Sequence, residues 1–379
     1  MPKKVYFLKR VLSSLGGLEK YTSHLADAFK KQGKEVHFIC QQQTEDQSLP
    51  TLTLPTPLCL FNYQRIKSFD QGCHYLFRKE KKNALFFGTD RSSSQHIYRA
   101  GNGVHAYYLD KRMQESNKFK RFSLKYNPLH QTLLDIEKRA FESPSLQFLI
   151  TNSQMVKKQI LKHYNTEEER IKVIHNGVEW YKWQNPFNES FDICKSSLGF
   201  HPDLPLLLFV GNGWERKGLK ELLEALAVVK SKGIGFQLAV LGKEKNIKYY
   251  KELTNNLKLS SNIKFVGPCK QVISYYQIAD VAIIPSHYDP FANVTIEALA
   301  MGLYVISSKN NGGSEVLTPQ RGLIIDNIRD KEGFAFTLEE GLKKMKDKEN
   351  ASKIRNSVKD FDFSLKLEEI LQLSAKVTL

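Results

Sequence analysis

Cysteine is scarce in this chain of 379 residues. The five cysteines, Cys40, Cys59, Cys73, Cys194 and Cys269, are odd in number, widely spaced and form no C-x-x-C pair. That argues against a disulfide framework and against a cysteine-based zinc site. No run of about 18 apolar residues occurs, so no membrane-spanning helix is expected. The start, MPKKVYFLKRV, places charge on both sides of only four apolar residues. This is too short for a signal-peptide core and reads as a first buried strand, Val5 to Leu8. A cytoplasmic location is therefore expected. The chain carries no G-x-G-x-x-G fingerprint and no Walker sequence. Acidic residues are outnumbered, 40 Asp plus Glu against 56 Lys plus Arg, for a net charge of +16. The surplus favours an anionic partner: nucleic acid, acidic lipid or a phosphorylated small molecule. Nucleic-acid recognition would require a known module or a continuous basic stripe with stacking aromatics. It would also leave the motifs below unexplained, so no nucleic-acid partner is expected.

What is present is one alternation of short apolar runs and amphipathic stretches, made twice. Hydrophobic residues account for 41% of the chain, an ordinary globular share. In the first half, VYFL is followed by a helix from about Leu18 to Gln32 and by the strand VHFIC (36–40). ALFFG (84–88), QFLITNS (147–153) and IKVIHNG (171–177) are further strand candidates. The pattern restarts near residue 204 with LPLLLFVG (204–211) and a helix over 218–231. FQLAVLG (236–242), a helix near 247–257, IKFVG (263–267), a helix over 270–279, VAIIPS (281–286) and YVISS (304–308) complete it. β-rich runs alternating with helices predict parallel sheets covered on both faces. The fold class is α/β, with two Rossmann-like, doubly wound domains facing a central cleft. The polar stretch 181–203 reads as the linker, giving a first domain of residues 1–184 and a second of 185–362. The terminal amphipathic helix, 363–379, is expected to pack back on the first domain. In such folds ligands bind at the C-terminal ends of the strands.

Three loops follow strands and carry the chemistry. SSLGGLEK (13–20) puts Gly16 and Gly17 before a helix, where backbone can approach a phosphate and free N–H groups face it. A plain glycine turn would look the same. VGNGWERKGLKELLEAL (210–226) places Arg216 and Lys217 in a loop beyond a strand, a pair suited to a diphosphate or, alternatively, a solvated basic loop. DPFANVTIEALAMG (289–302) opens on Asp289 and starts a helix at about Phe291–Asn293, whose first N–H groups lack partners within the helix. Glu297 follows about one and a half turns in, spaced to accept hydrogen bonds from ribose hydroxyls while phosphate sits at the helix tip. Otherwise Asp289 is a turn former and Glu297 a solvated helix residue.

VGNGWERKGL together with SHYDPFANVTIEALAMGLYVISSKNNGGSEVL resembles the second domain of the family 4 retaining glycosyltransferases, which have the GT-B fold. The shared features are two acids separated by seven residues and an upstream Arg-Lys pair. SLGGLEKYTSHLADAF resembles their first-domain glycine loop, and TNSQMVKKQILKHY with IKVIHNGV their approach to the linker. The likeness covers most of the chain and is weakest over 41–130. It implies that Gly16 and Gly17 lie near the donor phosphates and that Arg216 and Lys217 neutralise the leaving diphosphate. It further implies that Phe291, Ala292 and Asn293 offer backbone N–H groups near diphosphate or sugar, and that Glu297 binds ribose. By the same resemblance Asp289 is expected to face the donor sugar, and His105, in GNGVHAYY, resembles the first-domain histidine near the reacting sugar and acceptor. Two departures stand out. Asp289 replaces the usual Glu and is shorter by a methylene, and Ala292 stands where Gly is common.

The implied reaction moves a hexose from a nucleotide-diphosphate sugar, UDP-glucose or a related UDP-hexose, to a hydroxyl of a lipid-linked glycan, with the lipopolysaccharide core glucosyltransferases as the nearest resemblance. Retention of configuration is expected, with no metal and no cofactor. Asp360-Phe361-Asp362 matches D-x-D but reads as a helix-start turn. Other GT-B chemistries, a sugar-nucleotide epimerase or a phosphorylase, remain alternatives. Residues 105–126 interleave six Lys or Arg with Tyr107, Tyr108, Leu109, Met113, Phe119, Phe122 and Tyr126. Such a segment suits peripheral attachment to the anionic inner leaflet of the cytoplasmic membrane, or else is a helical cap with solvated lysines.

Overall fold

The computed structural model describes residues 3–12, 17–43, 50–56, 61–114 and 116–379. Gly16 lies outside them. The chain divides into two compact units, residues 1–175 with 367–379 and residues 176–366.

In the first unit the strands are β1 (Lys4–Leu8), β2 (Val11–Leu12), β3 (Glu35–Cys40), β4 (Gln42–Gln43), β5 (Thr51–Thr53), β6 (Ala84–Gly88), β7 (Ile97–Arg99), β8 (Phe148–Thr151) and β9 (Ile171–Val173). Seven of them form a sheet in the order β5-β3-β1-β6-β7-β8-β9, and β2 pairs with β4. All pairings are parallel. A sheet covered on both faces demands nearly continuous apolar strands, and ALFFG is buried at every position. Phe7 stacks on Phe38, with ring centroids 5.5 Å apart, across the β1–β3 pair. Helices Gly17–Lys31, Asn62–Glu80, Pro128–Phe141 and Gln154–His163 make the crossovers, and His105–Gln114 and Lys118–Tyr126 stand between β7 and Pro128–Phe141.

The second unit contains β10 (Leu206–Val210), β11 (Gln237–Leu241), β12 (Ile263–Gly267), β13 (Val281–Ile284), β14 (Tyr304–Ser308) and β15 (Gly322–Ile325). They form one parallel sheet in the order β12-β11-β10-β13-β14-β15, doubly wound about β10 and β13. Its core is continuous through LLLFV, QLAVL and VAII and the apolar faces of helices Leu219–Ser231, Asn293–Ala300 and Lys331–Leu342. Each fully buried Leu, Val, Ile or Phe side chain there contributes about 1.5–3 kcal/mol. Among the described residues no helix is long and apolar enough to cross a membrane.

The stretch 181–203 is not the loose linker that its polarity suggests. It contains a helix, Gln184–Glu189, and a 3-10 turn, Lys195–Leu198, and it is part of the second unit. Its aromatic residues explain why. Phe187 and Phe200 are buried, and Trp180 just before them is as well. The fully buried Arg355 guanidinium lies 4.2 Å from the Trp180 ring centre and 4.9 Å from that of Phe187. It also donates to the carbonyl of Trp180 at 2.6 Å. Of the two D-x-D acids, Asp362 behaves as a helix start, while Asp360 lies in the 3-10 turn Lys359–Phe361 before it. Asp362 accepts the Ser364 N–H at 2.9 Å at the head of helix Phe363–Ala375.

Candidate active site

Three loops at the C-terminal ends of β10, β13 and β14 meet in the second unit. The loop after β10 leaves the sheet at Gly211, carries Arg216 and Lys217, and enters its helix through Gly218. Gly218 has φ of +77°, and a Cβ there would lie 2.0 Å from the Pro285 carbonyl oxygen. Only glycine allows the β10 and β13 loops to approach this closely. The main chain then ties the two together. His287 N–H donates to the Arg216 carbonyl at 3.0 Å, and an Arg216 Nη1 donates to the Tyr288 carbonyl at 3.0 Å. His287 Nε2 also meets Glu221 Oε1 at 3.0 Å, in the first turn of the helix that follows.

Both cations converge on one carboxylate oxygen. Asp289 Oδ2 accepts from Lys217 Nζ at 2.7 Å and from Arg216 Nη1 at 3.1 Å. Burial alone would raise the Asp289 pKa, but the charges and hydrogen bonds of Lys217 and Arg216 outweigh it and hold the carboxyl below its usual range. Among the described residues Asp289 Oδ1 accepts no hydrogen bond.

The helix Asn293–Ala300 starts beside this group, capped by Ala292. Its tip is fastened by a residue that sequence reasoning passed over. Asn311, wholly buried, accepts the Ala292 N–H at 2.9 Å and the Gly313 N–H at 3.0 Å through Oδ1. Its amide nitrogen donates to Thr295 Oγ1 at 3.0 Å and Ser307 Oγ at 2.9 Å. The Ala292 N–H expected to face a diphosphate is therefore already committed inside the protein. A second unforeseen side chain, Asn176, donates to the Phe291 carbonyl at 3.3 Å and to Asn293 Oδ1 at 2.6 Å. Phe291 is buried and Asn293 half-buried.

Glu297 lies on the same helix, half-buried rather than fully solvated. Its Oε2 accepts the Tyr276 hydroxyl at 2.8 Å. Burial pushes the Tyr276 phenol well up, and the neighbouring Glu297 charge adds to the effect, so Tyr276 stays a donor. Tyr276 belongs to helix Val272–Ile278 and shares no sequence pattern with Glu297.

In the first unit Gly17 opens helix Gly17–Lys31. His105 opens helix His105–Gln114 and is only 6% exposed. Burial, with help from Arg91 and His130, pushes it down to about 3, so it is neutral at physiological pH. The basic-aromatic segment forms that helix and Lys118–Tyr126. On the latter Phe119, Phe122 and Tyr126 are 89%, 66% and 58% exposed. A separate concavity of about 680 Å³ in this unit is lined by Arg78, Lys81, Lys138 and Arg139. These cations stand at the C-terminal ends of two helices, where the macrodipole accounts for them.

A family 4 glycosyltransferase model (Glycosyltransferase Family 4) matches residues 15–179, and a glycosyl transferases group 1 model matches residues 191–358. Together they span both units. The chain belongs to the family 4 glycosyltransferases with the GT-B fold. Lipopolysaccharide glucosyltransferase WaaG of Escherichia coli is 28% identical over 205 residues, 53% of this chain and 53% of that protein. An uncharacterised glycosyltransferase of Methanocaldococcus jannaschii is 30% identical over 174 residues, 45% and 44% respectively. Lipopolysaccharide core biosynthesis glycosyltransferase LpsE of Rhizobium meliloti is 29% identical over 149 residues, 39% and 42%. The matched stretches thus span about half the length of these curated relatives or less. The crystal structure of WaaG superposes with a TM-score of 0.79 at 20% identity over 98% of this chain and 100% of that one. That of Anabaena HepE in complex with UDP gives 0.69 at 15% identity over 99% and 100%. At such identities these structures establish the GT-B fold of this glycosyltransferase and no more.

Proposed function

We propose that this glycosyltransferase moves a hexose from a nucleotide-diphosphate sugar to a hydroxyl of a lipid-linked glycan, with retention of configuration and without a metal ion. The observation that carries the proposal is the convergence of Lys217 and Arg216 on Asp289 beside the tip of helix Asn293–Ala300. Each cation keeps further protons for phosphate oxygens beyond those given to Asp289. Arg216 is about half-exposed, and Lys217 is held in place by its ion pair. As the anomeric C–O bond breaks, its electron pair goes to the β-phosphate oxygen. Preorganised cations are worth most where such charge develops. The acceptor oxygen then attacks on the face that the leaving group occupied and passes its proton to the departing phosphate.

Glu297 takes the ribose hydroxyls in this reading, and Asp289 Oδ1 a hydroxyl of the sugar. Phe291 and Asn293 lie at the phosphate end, while Ala292 serves by positioning the tip. Gly16 and Gly17 are assigned to the donor phosphates, and His105 to the reacting sugar, by family resemblance. UDP-glucose as donor is supported by the solved complexes of HepE with UDP, with UDP and glucose, and with UDP-glucose. A lipopolysaccharide-type acceptor is supported by the names of WaaG and LpsE. The basic-aromatic helix Lys118–Tyr126 supports peripheral attachment to an anionic inner leaflet.

The test is release of UDP from UDP-glucose, with and without a lipid-linked acceptor, in the presence of EDTA. Acceptor-dependent release that EDTA leaves intact is expected. Loss on chelation with recovery in manganese would overturn metal independence, and release unchanged by acceptor would overturn transfer to a glycan.

A further inference from the structure

One helix of the first unit grips His105 in two ways. Glu137, buried on helix Pro128–Phe141, accepts the His105 N–H at 2.8 Å and 2.9 Å through its two oxygens and the Ala106 N–H at 3.2 Å. It also accepts the Tyr164 hydroxyl at 2.6 Å. The carboxylate thereby closes the N-terminus of helix His105–Gln114 and fixes the backbone of His105. About two turns earlier on the same helix, His130 meets the ring itself. His105 Nε2 lies 3.1 Å from His130 Nδ1, with the ring centroids 5.1 Å apart.

Only one proton fits in an N···N contact between two neutral imidazoles, so one ring donates and the other accepts. Both rings are held neutral. Burial lowers His105, and Arg91 and His130 add to it; burial lowers His130, and Arg112 adds to it. Tyr108 also packs near His105, with ring centroids 6.1 Å apart. If His130 donates, His105 must carry its own proton on Nδ1. If His130 accepts, His105 Nδ1 is a bare lone pair. Among the described residues Nδ1 of His105 has no hydrogen-bond partner, so this atom is the one left to meet a ligand.

We propose that His130 is a positioning residue that locks His105 in a single tautomer, so that Nδ1 presents one hydrogen-bonding character to the reacting sugar. This rests on the assignment of His105 to that sugar. Which nitrogen carries the proton on a functional histidine is set by the bond that its other nitrogen makes. At metal sites, loss of the group that orients a ligating histidine lowers activity by about 10–100-fold, and a fall of the same order is expected here.

The test is ¹⁵N imidazole NMR on the full chain labelled at histidine, with resonances assigned from His105→Gln and His130→Asn, beside UDP release from UDP-glucose. Wild-type His105 is expected as one neutral tautomer that does not titrate between about pH 5 and 8. His130→Phe is expected to give a mixed or inverted tautomer and a fall of about 10–100-fold in kcat at unchanged donor KM. His130→Asn, whose amide still reaches Nε2, is expected to recover most of both. A wild-type tautomer mixture, or a His105 signal unaltered by His130→Phe, would overturn the proposal. If His105→Ala retains normal turnover, the sugar assignment fails instead, whatever the spectra show.

Discussion

The ammonium of Lys217 and the carboxylate of Asp289 lie 2.7 Å apart, with both side chains about nine-tenths buried. The pair closes the gap between the β10 and β13 loops, and Arg216 shares the same carboxylate oxygen. A charge so placed is costly to leave alone. Lys217→Ala is expected to lower kcat by about 10²–10³-fold, the usual effect of removing one preorganised charge-stabilising donor. Asp289→Asn is expected to cost about 3 kcal/mol in urea unfolding, because two cations lose their counter-charge. The sign with pH follows. The folded Asp289 pKa is depressed, so its contribution is complete above the ordinary value near 3.8 and disappears as pH falls through the lower folded value. Neutral-range unfolding curves should show no slope from this group.

Glu297 and Tyr276 give a prediction that separates binding from chemistry. Glu297→Gln keeps an oxygen for the Tyr276 hydroxyl but loses the negative charge. Charge-assisted hydrogen bonds are about twice as strong as neutral ones. Donor KM should rise about tenfold, equivalent to about 1.4 kcal/mol, with kcat nearly unchanged. Glu297→Ala should in addition destabilise the fold by about 1–3 kcal/mol, since it strands the buried phenol hydroxyl. Equal KM values for the wild type and Glu297→Gln would remove the ribose assignment.

The residues of this site were legible in unequal measure. Arg216, Lys217, Asp289 and Glu297 stand after apolar runs so pure that β10, β12, β13 and β14 could be placed within a residue or two at their starts. Their partners were not legible. Asn311 sits in NNGG, which reads as an ordinary turn, and its value lies in four hydrogen bonds made across 2–19 residues of sequence. Tyr276 sits on a short helix that announces burial and nothing else. β7, with only IYR, and β15, with GLII, were too short to register against their surroundings. The helix Asn62–Glu80 escaped because its apolar face, Ile66, Phe69, Cys73 and Phe77, is diluted by charge. Periodicity reports which face is buried; it does not report which polar groups meet after burial.

Asn311 permits a direct test of tip positioning. Asn311→Asp keeps the acceptor oxygen but can no longer donate to both Thr295 and Ser307, and it buries a charge. A loss of more than about 2 kcal/mol in stability is expected from the buried unpaired groups. Asn311→Ser should fold better than Asn311→Asp yet bind donor less well, because the Ala292 and Gly313 amides lose their common anchor. Calorimetric binding of UDP-glucose, compared with unfolding midpoints, separates the two effects.

Helix Lys118–Tyr126 predicts a surface that discriminates by charge. On an anionic vesicle the exposed Phe119, Phe122 and Tyr126 would supply insertion, and Lys118, Lys120, Arg121 and Lys125 attraction worth about 1 kcal/mol per cation. In flotation, the chain should rise with phosphatidylglycerol-containing vesicles and remain below with neutral ones, and 0.5 M salt should weaken the binding by screening at about 4 Å. Phe119→Ser with Phe122→Ser should abolish flotation while leaving UDP release with soluble acceptors unchanged. Equal binding to neutral vesicles would exclude the electrostatic part.

Lys346 makes the stability of the second unit depend on pH in an unusual direction. Its ammonium is turned onto the carbonyl oxygens of Gln277 at 3.0 Å and Tyr276 at 3.4 Å, at the end of the helix that carries the Glu297 partner. Burial pushes it down to about 7, against an opposing pull from Asp280. The unfolded chain holds this proton up to its ordinary value of 10.5. Between about 7 and 10.5 the unfolded state therefore binds more protons than the folded one, and stability rises with pH there by at most about 1.4 kcal/mol per unit. Below about 7 both states are protonated and the burial cost is present in full. Lys346→Met should lose the two carbonyl hydrogen bonds, a term independent of pH, and should lack the slope. The difference between wild-type and variant unfolding free energies, measured from pH 6 to 10, isolates this group from tyrosines and cysteines that titrate in the same window. A difference that stays constant with pH would mean that Lys346 remains charged in the folded chain.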